Sequence, residues 1–299
     1  MRVLVFGATG MFGHRLWREL APRCEAWAAV RRLVGDPLLA RLFPPDRLIA
    51  GLDAAACGAP EAAVRQLRPD AVVNCIGLVK QHPAAADPVA AITLNALLPH
   101  RLAMACREVG ARLVHLSTDC VFSGARGGYT EDDMPDPTDL YGRTKLLGEP
   151  AGEGCLTLRT SMVGRELAGA RGLVEWFLGQ RGGRVRGFRR AVFSGLATPA
   201  LARLLRRLLE EHPRLAGTWH VAAAPISKLD LLVELRRAFG VDVEIEPDAG
   251  TGGPRCDRSL DGARFRRATG LATPEWRDMM AELAADELHY EELRRIHAD

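Results

Sequence analysis

VLVFGATGMFGHRL, residues 3–16, runs a short apolar stretch into three glycines, Gly7, Gly10 and Gly13, and then into a segment with helical apolar spacing. A run of β-formers that stops at a glycine reads as a buried strand, and residues 13–20 read as the helix that follows it. In that setting each glycine has a physical use. Gly7 permits a tight turn, Gly10 has no Cβ to keep a pyrophosphate off the backbone, and Gly13 lets the helix pack closely on the strand. The free N–H groups of the first helical turn then face the phosphates. The spacing is GxxGxxG rather than GxGxxG, so the flanking strand and helix carry the dinucleotide reading; a glycine turn without a ligand is the plainer alternative. The loop residues expected against a cofactor are Gly7, Thr9, Gly10, Met11, Phe12 and Gly13.

The same alternation continues outward from this stretch. Residues 25–30, 71–76 and 112–116 read as strands, 61–67 as a helix, and 88–109 as a long amphipathic helix. Repeated βα units of this kind predict an α/β fold, a doubly wound parallel sheet of Rossmann type. After about residue 150 the pattern changes. Residues 156–160 and 217–222 are strand-like, 172–178, 199–211 and 228–239 helical, 250–254 a loop, and 275 onward one long charged helix. We therefore expect a dinucleotide-binding domain over 1–155, with 156–165 and 190–222 free to rejoin it. Residues 166–299 should form mainly a smaller C-terminal α+β substrate lobe.

Bulk composition narrows the class. Forty basic and 37 acidic residues leave a net charge of +3, too balanced for a nucleic-acid partner. No run approaches 18 apolar residues and the N-terminus lacks the pattern of a signal peptide, so no membrane partner is expected. Seven scattered cysteines without a CxxC pair fit reduced thiols in a cytoplasmic protein, and no metal-ligand set is assigned.

The second strand should end near the adenosine ribose. WAAV (27–30) is followed by Arg31 and Arg32 and by no carboxylate, which suits the 2′-phosphate of NADPH better than the free 2′-hydroxyl of NADH, the alternative cofactor. Asp53 stands where a carboxylate would accept from the adenine amino group. Further on, DLYGRTKLLGE (139–149) sets Tyr141 and Lys145 at i and i+4, one helical turn apart. A nearby ammonium favours the phenolate, so Lys145 is expected to lower the Tyr141 pKa and tune it as a proton donor to a carbonyl. HLSTDCVF (115–122) ends an apolar strand in Ser117, Thr118 and Asp119 at the sheet edge where ligands of open parallel sheets bind, and Thr118 would orient the substrate oxygen. RGGRVRGFRR (181–190) carries five arginines, read either as a diphosphate clamp or as a flexible basic loop. Asn95 is expected to tie helix to strand, Trp219 and His220 to be core residues, and Glu131–Asp133 to form a solvated acidic loop.

At this point the chain resembles the extended short-chain dehydrogenase/reductases, and within them the dTDP-4-dehydrorhamnose reductase group. GATGMFG, NCIG (74–77), STDCVFSG (117–124), YTEDDMPDPTDLYGRTKLLGE (129–149), LRTSMVG (158–164), GTWHVAAAPISKLDL (217–231) and DRSLDGARF (257–265) carry the resemblance. It implies NADPH-dependent reduction of the 4-keto group of a nucleotide-diphosphate 6-deoxysugar, with Thr118, Tyr141 and Lys145 catalytic. It adds Cys75, Ile76, Gly77 and Lys80 to the cofactor residues. Lys80, Gln81, Asp119, Val121, Phe122, Trp176 and Arg186 are the expected substrate contacts, and a homodimer is left open. Two departures stand out. Cys120 replaces the family's usual tyrosine, and Lys80, Gln81 and His82 replace an alanine-rich segment, so the nucleobase and sugar stay open. An epimerase or dehydratase, or a non-catalytic NADP-binding regulatory subunit, are the alternatives on the same frame.

Overall fold

In the computed structural model, which describes residues 1–248 and 255–298, seven parallel strands form one sheet. They are β1 (Arg2–Phe6), β2 (Glu25–Ala29), β3 (Leu48–Ile49), β4 (Ala71–Asn74), β5 (Arg112–Thr118), β6 (Cys155–Thr160) and β7 (Gly217–His220). Their spatial order is β7-β6-β5-β4-β1-β2-β3. The order reverses between β1 and β4, and this switch point opens a crevice at the C-terminal ends of the strands. The short expected loop at 250–254 lies outside the described residues.

The strands read as unbroken apolar runs because both faces of the sheet are covered. Val3, Leu4, Val5 and Phe6 are all fully buried. Val3, Val5, Val114 and Leu158 face a core shared with the helix Thr198–Glu211, whereas Leu4, Phe6, Val72 and Leu113 face the helices of the other side. The late strand segments do rejoin this sheet. β6 pairs with β5 from Leu113↔Cys155 to Thr118↔Thr160, and β7 pairs with β6 from Gly217↔Leu156 to His220↔Arg159. Outside the sheet, the C-terminal half adds Ala191–Phe193 between Ile226–Ser227 and Cys256–Asp257, and Arg184–Gly187 beside Glu244–Pro247.

The helix Pro88–Val109 is continuous over 22 residues, with a π-helical middle at Ile92–Leu97. By length and composition it is long and apolar enough to cross a membrane, although its sequence holds no unbroken apolar run of 18 residues. Half of it is buried here, and Leu98 and Leu102 are fully enclosed against the sheet, which accounts for its apolarity. The π turn carries Asn95 inward. Its amide accepts from Leu78 N at 2.7 Å and donates to Leu78 O at 3.1 Å and to Thr144 Oγ1 at 3.2 Å, joining the loop after β4 to the tyrosine-bearing helix.

Residues 275 onward do not form one helix. Asp286 accepts from Leu288 N at 3.2 Å and from Arg18 at 2.8 Å, and this turn separates Trp276–Ala284 from Tyr290–Ala298. The last helix packs on its own chain, where Arg41 pairs with Glu292.

One buried ion pair supports the site from beneath. Glu149 accepts from Arg159 Nη2 at 2.8 Å and Nε at 2.9 Å and from Ser117 Oγ at 2.5 Å, with both charged side chains 8% exposed. Removing one partner leaves the other charge uncompensated in a medium that solvates it poorly. Glu149→Gln is therefore expected to cost about 3–5 kcal/mol of stability. Urea unfolding would show it as a lower midpoint at unchanged slope; a shift below about 1 kcal/mol would mean that water reaches Arg159.

Candidate functional site

The glycine loop leaves β1 at Gly7, which has φ +73° and donates to Ala29 O at 3.1 Å, holding the turn against β2. Gly10 N donates to Gly7 O at 2.9 Å. A Cβ on Gly13 would fall 2.1 Å from Gly7 O and 2.9 Å from Ala8 Cα, so only glycine allows the helix Gly13–Leu20 to sit this close. That helix has no side-chain cap, which leaves its first amides available to an anion. Gly10 is exposed and Thr9 and Met11 half-buried, whereas Phe12 is core at 4% exposure. At the ends of β2 and β3, Gly51 N donates to Arg32 O at 2.7 Å, placing the Asp53 loop beside the arginine pair. Arg31 is exposed and Arg32 is paired with Asp36. Asp53 is exposed and accepts from Ala55 N at 3.0 Å within its own loop. After β4, Cys75 and Ile76 are half-buried and Gly77 is exposed; the Ile76 side chain closes over Gly7. These donors, the uncapped helix and the two cations fit a dinucleotide phosphate.

The catalytic candidates converge at the neighbouring strand ends. Thr118 closes β5, and its hydroxyl accepts from Cys120 N at 3.1 Å and lies against the Tyr141 phenol. Tyr141 stands in the first turn of the helix Leu140–Leu147, capped by Asp139, which accepts from Gly142 N at 2.8 Å. Lys145 is 3% exposed and donates to Leu116 O at 2.6 Å, with His115 Nε2 3.3 Å away. Burial pulls its pKa down to about 8, against the opposing pull of Glu149.

The expectation that Lys145 lowers the Tyr141 pKa is corrected. Burial raises the phenol above its ordinary value; Cys120, Asp119 and Asp139 add to the rise and Thr118 opposes it. The lysine ammonium is instead turned back to the β5 carbonyl. The cation beside the tyrosine ring is Lys80, 5.7 Å from its centroid and held there by Asp139 at 2.5 Å. Burial raises Cys120 to about 11, so the residue in place of a tyrosine is a neutral thiol.

The expected substrate contacts divide. Asp119 is 6% exposed beside Thr118, and burial raises its pKa. Val121 and Phe122 have no exposed surface: Phe122 stacks on Tyr129 at 4.2 Å beneath Arg159, so both are core residues rather than ligand contacts. Gln81 is exposed, and Trp176 is 39% exposed on the helix Leu173–Leu178. Arg186 packs over Phe188 and stands apart from the basic cleft nearby. That cleft, about 490 Å³, is lined by Arg126, Arg189, Arg190, Arg255 and Asp257 with the loop at Gly124. The crowded arginines of 181–190 were the signal for two of these. Arg126 and Arg255 come from distant loops that carry no pattern of their own. Lys228 was also missed; its ammonium lies 4.0 Å from the Phe193 ring centroid and feels the charge of Asp119. Glu131 is not simply solvated, since it accepts from His220 N at 2.9 Å, while the buried His220 is a core residue as expected.

A reversed parallel sheet, a glycine turn after β1 and a threonine, tyrosine and lysine gathered at adjacent strand ends define a dinucleotide-binding short-chain dehydrogenase/reductase fold. The chain belongs to the RmlD substrate binding domain family, whose model matches residues 1–289. It is 33% identical over 313 residues, 96% of this chain and 95% of the relative, to a probable dTDP-4,6-dihydroxy-2-methyloxan-3-one 4-ketoreductase of Streptomyces antibioticus. Over 166 residues, 54% of this chain and 47% of the relative, it is 32% identical to the methionine adenosyltransferase 2 subunit beta of Xenopus tropicalis. The crystal structure of a dTDP-4-dehydrorhamnose reductase from Clostridium acetobutylicum superposes with a TM-score of 0.75 at 25% identity, covering 95% of this chain and 98% of that one.

Proposed function

We propose that the protein reduces the 4-keto group of a nucleotide-linked 6-deoxysugar with NADPH. The observation that carries this reading is the juxtaposition of Thr118 and Tyr141 on a sheet whose first strand leads into an uncapped glycine-loop helix, in a chain similar over its whole length to a probable 4-ketoreductase. Bound NADPH supplies the hydride. Tyr141, kept protonated by burial, donates the proton to the carbonyl oxygen, and Thr118 orients that oxygen. Lys145 supplies positive charge beneath the site. Arg31 favours the 2′-phosphate over a bare ribose hydroxyl. The elements outside the large sheet form the substrate lobe, and the four arginines of the cleft receive the sugar nucleotide's diphosphate. Mixing the protein with NADPH and a panel of 4-keto sugar nucleotides, while following absorbance of the reduced cofactor, tests this reading. Turnover supports it; none across dTDP-, UDP- and GDP-linked members refutes it.

A second reading is a subunit that binds NADPH without turning it over, favoured by the likeness to the adenosyltransferase beta subunit. Normal cofactor binding with no oxidation would select it. A dehydratase is disfavoured because Thr118 is followed by Asp119 and Cys120 rather than by an acid pair, and an epimerase, which would retain NAD, because Arg31 suits a 2′-phosphate.

The pH profile follows from Lys145. A base whose folded pKa is depressed to about 8 keeps its charge below that value and loses it above. The reduction rate is expected to fall as pH rises through about 8. In Glu149→Gln the fall should begin at lower pH, because Glu149 favours the ammonium. A profile flat between pH 7 and about 9 would separate Lys145 from the reaction.

A further inference from the structure

The glycine loop is braced from the far end of the chain. His14 is 1% exposed; its Nδ1 lies 2.8 Å from Gly10 O, and its Nε2 lies 3.0 Å from the hydroxyl of Tyr290, itself 3% exposed. Burial lowers His14 to about 4, so the ring is neutral, and facing a carbonyl oxygen fixes its proton on Nδ1. Nε2 is then an acceptor for the phenol. The Tyr290 hydroxyl donates to Asp286 Oδ2 at 2.8 Å and lies 3.0 Å from His14 Nε2, so its one proton is shared between these two acceptors, while Arg18 and the Leu288 amide hold the other carboxylate oxygen. The helix Tyr290–Ala298 reaches the other side of the loop too. Arg294 pairs with Glu175 and donates to Glu166 O at 3.3 Å. Glu166 accepts from Gly172 N at 2.7 Å, and Gly172 abuts the Met11 side chain of the loop. Tyr290 and its helix lie beyond residues 1–289, the part matched by the family model.

We propose that Tyr290 is a positioning residue for the cofactor, holding the Gly10 carbonyl through His14 so that docking of the last helix and occupancy of the glycine loop favour one another. This rests on the reading that the loop holds NADPH, and not on any reaction of a sugar. Two sites that share one ordered element must be coupled reciprocally. NADPH titration by fluorescence on the full chain is the first test. Tyr290→Phe, which keeps the ring and removes the hydroxyl, should weaken NADPH roughly 3- to 10-fold, the loss of one hydrogen bond. Arg41→Ala removes only the exposed pair with Glu292, which contributes little to docking of that helix, and should leave the affinity unchanged. The second test needs no variant. Hydrogen exchange of amides 288–296 in the wild-type chain should slow on adding NADPH. A folded Tyr290→Phe protein with wild-type affinity would overturn the proposal, as would exchange at 288–296 that ignores the cofactor. Failure of the wild-type chain to bind NADPH at all would overturn the cofactor reading first.

Discussion

Tyr141→Phe is expected to lower kcat for keto-sugar reduction about 10²- to 10⁴-fold, the usual worth of a positioned general acid, while NADPH affinity stays within about two-fold. The phenol lies against Thr118 in a setting that raises its pKa by burial above all, so it holds its proton across the physiological range. That suits a group that must give the proton away as hydride reaches carbon. Phenylalanine keeps the ring against Lys80 and removes only the O–H. A fall in kcat with little change in cofactor binding therefore identifies a group used in the transition state alone. The measurement is steady-state oxidation of NADPH at saturation with the best sugar nucleotide of the panel, paired with a fluorescence titration. A fully active variant would remove Tyr141 from the mechanism and move attention to Asp119, which burial also biases toward the protonated form.

The fold was readable in the sequence wherever the requirement was local. A strand buried on both faces must be apolar throughout, and a helix packed on a tight turn needs glycine at the crossing, so β1, its loop and the following helix could be placed from fourteen letters. Thr118 was marked by the rule that functional groups gather at strand C-termini, and Tyr141 by its one-turn spacing from Lys145. What was not readable depends on which distant groups become neighbours. The i, i+4 spacing put Lys145 one turn from Tyr141 but could not say that its ammonium would turn to Leu116 O, or that Lys80, 61 positions before the tyrosine, would be carried to the ring by Asp139. The family resemblance carried by STDCVFSG implied Val121 and Phe122 as contacts. In three dimensions the chain turns inward there and Tyr129 covers the phenylalanine. Nothing in the sequence around His14 pointed to Tyr290, 276 positions away.

Two glycines three positions apart should fail in different ways. A side chain at Gly13 meets main chain: its Cβ would lie 2.1 Å from Gly7 O, 2.8 Å from Gly7 C and 2.9 Å from Ala8 Cα. Backbone cannot swing aside as the tip of a lysine can, so the helix must retreat from β1 and carry the fully buried Leu16 and the nearly buried Trp17 with it. Gly13→Val is expected to lose several kcal/mol of stability, as overpacking against a rigid neighbour does, together with measurable NADPH binding. At Gly10 an added Cβ would meet only Gly7 O, at 3.2 Å, and otherwise point into open space. Gly10→Ala should fold with a melting temperature within about 3 °C of wild type, yet bind NADPH at least about ten-fold more weakly, because the methyl stands where the pyrophosphate must approach the backbone. The pair of measurements, thermal unfolding and cofactor titration, separates packing from binding on one loop. If Gly10→Ala bound NADPH as tightly as wild type, the phosphates would have to lie elsewhere, and the glycine turn would serve only to bring helix and strand together.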